Sequence, residues 1–121
     1  MRKVMTAAAL VLALAPGARI SAAPQIYKVG QDGVKAPVVT RDVKPVYTKD
    51  AMDRKVQGHV ELEAVVQKDG TVGDVRVTQS LDADLDAQAI TAAKQWQFRP
   101  GTKDGKAVDV EVAIEMTFTL K

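Results

Sequence analysis

Chemistry needs a nucleophile, a base or a set of metal ligands, and this chain has few of each: one His, no Cys, and Ser80 as its only serine beyond residue 22. Ser80 and His59 lie 21 positions apart with no motif around either. They read as a strand-end hydroxyl and a surface imidazole, not as a nucleophile with its base. His59, Glu61 and Glu63 share one face of an extended segment and could attract a metal. A lone His with flexible carboxylates makes a weak site, however, and structural zinc prefers several His or Cys. The expectation is a solvated outer face with no metal and no cofactor. Asp82, Asp84 and Asp86 have the spacing of a calcium loop but lack its glycine and terminal glutamate, so they read as helix-capping residues. Gly70, Gly73, Gly101 and Gly105 stand singly, and neither a dinucleotide fingerprint nor a phosphate loop is present. The chain is therefore expected not to be an enzyme.

The elements that would carry any site begin after a leader. Arg2 and Lys3, an apolar run over residues 4–15 and Ile20-Ser21-Ala22-Ala23 have the order of a secretory signal, expected to be cleaved after Ala22 or Ala23. The alternative, a retained anchor, has about 12 apolar residues where a spanning helix needs ~20. Membrane contact is expected only if that segment is retained. Its removal takes Arg2, Lys3 and Arg19, leaving 14 basic residues against 15 acidic ones and turning a net charge of +2 into −1. With no Lys/Arg cluster left to displace counterions from phosphates, nucleic acid is excluded as a partner. Export without cysteine also means that packing alone must hold the fold.

Residues 23–43 mix Pro, Gly and charges and read as a leading arm in which only Val38-Val39 looks extended. From residue 44 to 121 a single domain is expected. Thr48 should cap a short helix running to about Lys55, with Asp50 in its first turn and Arg54 and Lys55 in its last. Val60, Leu62, Ala64 and Val66 alternate with polar residues as in a half-buried strand. Lys68-Asp69-Gly70 turns the chain into a second strand through Val75 and Val77, and Val72 fits its phase only if Gly73 or Asp74 forms a bulge. A helix over residues 85–95 places Leu85, Ala89, Ala92, Ala93 and Trp96 on one stripe. Trp96 and Phe98 then read as core plugs at an extended exit from this helix, positioning the C-terminal segment without touching a partner. Pro100-Gly101 and Asp104-Gly105 reverse the chain.

The last segment has the strongest periodicity. Val108, Val110, Val112, Ile114, Met116, Phe118 and Leu120 alternate with Asp109, Glu111, Ala113, Glu115, Thr117 and Thr119, so one face is buried and one wet. Residues 108–120 extended would span about 43 Å, against about 30 Å for a domain of this size. Part of the strand should overhang, bend or meet a partner. At a sheet edge it would offer backbone groups to an extended peptide. The other possibility is an edge protected by Asp109, Glu111 and Glu115 or covered by the leading arm, and the residues do not decide between the two.

Pro45-x-Tyr47, Ala51, Gly58-x-Val60, Asp69-Gly70-x-Val72, Val75-x-Val77, Ser80, Leu85-Asp86, Ala89, Trp96-x-Phe98-x-Pro100-Gly101, Gly105 and Phe118 form an ordered set that resembles the TonB C-terminal domain family over residues 44–121. The resemblance implies an α+β fold: a three-stranded antiparallel sheet of hairpin and long edge strand, covered by two helices. It further implies a non-catalytic periplasmic domain whose last strand, with Val108, Val110, Val112, Ile114, Met116 and Phe118, receives an extended segment of an outer-membrane TonB-dependent transporter or other envelope protein. Pairing of two such edges would give a homodimer. The family's uncleaved membrane helix and long proline-rich spacer are not matched here, so energy transduction would require the short apolar segment to serve as a minimal anchor.

Overall fold

The computed structural model describes residues 25–120. The expected signal, residues 1–22, lies outside them. In chain order the elements are β1 (Ile26–Lys28), β2 (Val38–Arg41), α1 (Lys49–Asp53), β3 (Gly58–Val66), β4 (Val72–Gln79), α2 (Ala83–Ala93), β5 (Gln97–Arg99), β6 (Thr102–Lys103), β7 (Lys106–Ala107) and β8 (Asp109–Phe118). No described helix is long and apolar enough to cross a membrane.

The main sheet has the order β1-β8-β3-β4. Its β4, β3 and β8 are the expected antiparallel three. To them β1 adds a short parallel strand that the sequence did not announce. β3 is central, and its alternation is that of a one-sided sheet: Val60, Leu62, Ala64 and Val66 are at most 1% exposed while the residues between them are half-buried. Each such Val or Leu contributes about 1.5–3 kcal/mol by leaving water. Between Ala64↔Val75 and Val66↔Val72, β4 carries one residue more than β3, which is the bulge at Gly73-Asp74 that Val72 required.

Side-chain caps fix both helices. Thr48 accepts from the Ala51 N–H at 3.2 Å, and Asp82 accepts from the N–H groups of Asp84 and Leu85 at 3.1 and 3.3 Å. The Asp82 cap starts α2 at Ala83, two residues before the expected Leu85, and the helix ends at Ala93. Leu85, Ala89, Ala92 and Ala93 face the sheet almost fully buried, and the small alanines let the helix lie close to it. Arg54, at the end of α1, reaches the Asp82 carboxylate at 2.9 Å and so ties the two helices together.

The turn at Gly70 is the tightest joint. Its φ of 88° is left-handed, and a Cβ there would stand 2.1 Å from the Phe98 carbonyl oxygen. Only glycine meets both conditions without strain. The contact brings β5 beside the hairpin, with the Phe98 N–H donating to the Gly70 carbonyl at 2.9 Å. β5 in turn pairs with β2, so the Val38-Val39 piece of the arm lies against the segment that follows α2.

Candidate functional site

β8 has unequal edges. On the inner side every residue from Val110 to Phe118 is paired with β3. On the outer side β1 pairs with Asp109, Val110 and Glu111 only. Lys28 approaches Glu111 at 3.9 Å and the Lys103 ammonium lies 5.1 Å over the Tyr27 ring, which fastens β1 there. Over residues 112–118 no other described strand pairs with the outer edge. In an extended strand alternate residues turn both N–H and C=O to the same side, so this stretch offers a ladder of free backbone donors and acceptors.

An open groove of about 500 Å³ runs beside the far half of that edge, between residues 115–119 and residues 42–47, with Trp96 in its wall. The sequence builds it from three contacts. The indole N–H of Trp96, just past the end of α2, donates to the Val43 carbonyl at 2.8 Å and pins the approach to α1. The Tyr47 hydroxyl donates to the Val56 carbonyl across α1. The Tyr47 ring meets Phe118 edge-on, with centroids 5.3 Å apart and planes at 76°. The groove is thus lined by apolar residues, among them Tyr47, Trp96 and Phe118, and by polar ones, among them Asp42, Lys44 and Glu115.

The residues expected at the edge divide by position. Val110, Ile114, Met116 and Phe118 are 0 to 5% exposed and lie in the core, and Val112 is half-buried against it. Their side chains hold the strand down, and what the outer edge exposes is backbone. Val108 precedes β8, and its N–H donates to the Gly101 carbonyl at 2.9 Å in the turn. Of the expected outcomes, overhang, bend or a partner, overhang does not occur at this end: β8 stops at Phe118, opposite Gly58 at the start of β3. The leading arm covers the first three residues of the edge and leaves the rest.

The other candidates settle into place. Ser80 Oγ donates to Asp86, whose carboxylate also accepts from the Leu81 and Asp82 N–H groups at 3.0 and 3.3 Å, so Asp82 and Asp86 serve the start of α2 while Asp84 faces Arg54 at 3.6 Å. No hydrogen bond joins Ser80 to His59 among the described residues. Glu63 pairs with Arg76, while His59 and Glu61 are joined by Glu115 from β8.

The comparisons agree with this architecture. The family model described as Gram-negative bacterial TonB protein C-terminal matches residues 43–120. The chain belongs to the TonB C-terminal family. Among curated TonB relatives, Protein TonB of Xanthomonas campestris pv. campestris is 35% identical over 77 residues, 63% of this chain and 34% of that protein. Protein TonB of Pseudomonas aeruginosa is 31% identical over 65 residues, 53% of this chain and 19% of that protein. The chain thus spans about a third or less of the length of these relatives. The solution NMR structure of the Pseudomonas aeruginosa TonB CTD superposes with a TM-score of 0.59 at 25% identity, over 78% of this chain and 93% of that one.

The residues that carried the TonB resemblance do two kinds of work. Gly70 and Gly101 stand where a Cβ would strike backbone, the latter 2.8 Å from the Lys35 carbonyl oxygen. Pro45, Tyr47, Trp96 and Phe118 line the groove. Trp96 packs against the core as expected, its ring stacked at a tilt on the buried Phe98 with centroids 6.1 Å apart, and it also forms part of the groove wall. Its place beside Phe98 in a TonB-type motif reads as core from sequence, and only the approach of residues 42–45 makes it a wall.

Proposed function

We propose that this TonB-family domain is a non-catalytic periplasmic module that takes an extended segment of an envelope protein, such as an outer-membrane TonB-dependent transporter, as an added strand on β8. What supports the reading is the unpaired outer edge over residues 112–118 beside the Tyr47–Trp96 groove. Backbone bonds along the edge would supply affinity, and the groove would select an apolar side chain. Removal of residues 1–22 as a secretory signal would deliver the domain to the periplasm, and intact-mass measurement of the native protein tests this by placing its N-terminus at Ala23 or Pro24.

Strand addition has a positional test. The chain has no cysteine, so single thiols at Ala113, Glu115 and Thr117, on the exposed face of β8, can be crosslinked to peptides from transporter N-termini that carry one thiol each. Added strands place alternate peptide residues on that face, so disulfides should form with a period of two and shift in register along β8. Crosslinking without that period, or peptide binding unchanged in a folded Val112→Pro variant, would overturn the proposal. Two domains crosslinked to each other in the same pattern would instead show that the edge serves a homodimer.

A further inference from the structure

The outer face of the sheet carries four carboxylates in the middle of β3 and β8, and they are not equally matched. Glu63 pairs with Arg76, and Glu111 lies 3.9 Å from Lys28. Glu61 and Glu115 stand directly opposite each other across β3 and β8, with no Lys or Arg partner among the described residues. Like charges at opposed positions destabilise a strand pair. What lies between them is an imidazole: His59 Nε2 is 3.3 Å from Glu61 Oε2 and 3.6 Å from Glu115 Oε2.

We propose that His59, Glu61 and Glu115 bind a zinc-class divalent cation. Donors at ~2.0–2.2 Å from a tetrahedral zinc lie roughly 3.3–3.6 Å apart, so the imidazole nitrogen already stands at the ligand spacing from each carboxylate oxygen. All three donor atoms fall within 4.8 Å of one another. The donors come from two strands paired over nine residues, so the backbone is fixed before the ion arrives. Gln79 holds its amide nitrogen 3.3 Å from the same Nε2; a half-turn of that amide presents oxygen instead, and otherwise water fills the fourth position. The imidazole selects against magnesium and calcium, which favour all-oxygen sets, and for zinc, nickel or copper. The like-charge pair gains a counter-charge that no Lys or Arg among the described residues supplies. The site was not apparent in the sequence because Glu115 joins it only through the β3–β8 register, while Glu63, two residues from Glu61, is taken by Arg76.

The test is calorimetric titration of the untagged chain with zinc chloride, with 1:1 binding expected. His59→Gln and Glu115→Gln should each weaken it at least tenfold, and Glu63→Gln should leave it unchanged. Since His59 is the only histidine, its ring proton resonances in the unaltered protein should move as zinc is added, whatever the behaviour of the variants. No uptake at millimolar zinc, unmoved His59 resonances, equal binding by either Gln variant at His59 or Glu115, or a loss in Glu63→Gln as large as in Glu115→Gln would each overturn the site.

Discussion

β3 and β8 are written in nearly the same way, an apolar residue at every second position, and both bury that face almost completely. They differ in their edges. β3 has a strand on each side, whereas β8 has β3 on one side and only the three-residue β1 on the other. Alternation therefore reports which face meets the helices and is silent about which edge is paired. The first property bears on stability, and the second on which backbone groups stay unpaired among the described residues.

The sharpest check is whether the two strands are equal in the property they share. Leu62→Ala in β3 and Met116→Ala in β8 should each cost about 2–5 kcal/mol in urea unfolding, since both remove a buried side chain from one core. A loss well under 1 kcal/mol at Met116 would mean that the open-edged strand packs loosely and that the two faces are not equivalent.

Trp96→Phe probes the point where core and groove meet. It keeps an aromatic ring but leaves the Val43 carbonyl without its indole donor, a loss of roughly 0.5–1.5 kcal/mol. Binding of an extended peptide should fall by more than this stability change explains. If stability and binding fall together, Trp96 is a core residue and the groove wall is incidental.

Edge pairing itself is open to hydrogen exchange. Over residues 112–118 every second amide should exchange fast, while β3 amides from Glu61 to Val66, where β3 has β4 on one side and β8 on the other, stay protected. A chain starting at Gly30 lacks β1, and three lost neighbour pairs at a few tenths each should cost on the order of 1 kcal/mol. The fast set should then extend to residues 109–111. Unchanged protection there would mean that those three residues do not depend on β1.

Much of this fold was legible because its signals are local. The Thr48 and Asp82 caps, the Gly70 turn and the Val72 phase slip each depend on residues within one turn or one hairpin, and each appears in the structure. β1 was not legible: Ile26–Lys28 is too short to alternate, and its partner lies 83 positions away. The TonB pattern named the last strand, and its apolar residues from Val110 to Phe118 face the core as their period of two indicated. A period of two identifies inward side chains, whereas a peptide would meet the backbone between them. The groove beside Trp96 and the approach of Glu115 to His59 were not legible for the same reason, because each is formed by a segment distant in sequence.

Away from the open edge, the link between the helices should respond to acid. The Arg54 guanidinium holds the Asp82 carboxyl below the usual carboxylate range, with the N–H groups of Leu85 and Asp84 adding to the effect. Asp69 is lowered as well, by the Thr71 hydroxyl and N–H. A carboxyl lowered on folding contributes stability that is present above its unfolded value and is lost as pH falls through the folded one. The loss therefore begins as pH drops below the ordinary carboxylate value of 3.8. Arg54 is raised above its ordinary value and keeps its charge throughout, so the change belongs to the aspartates. Asp82→Asn separates charge from cap, since Asn still accepts from the N–H groups of Asp84 and Leu85. The urea midpoint of the unaltered chain should exceed that of the variant at pH 7, and the gap should close as pH falls below 3.8. A gap that persists in acid would assign the contribution of Asp82 to capping geometry and leave the Arg54 bridge as a surface pair of little consequence.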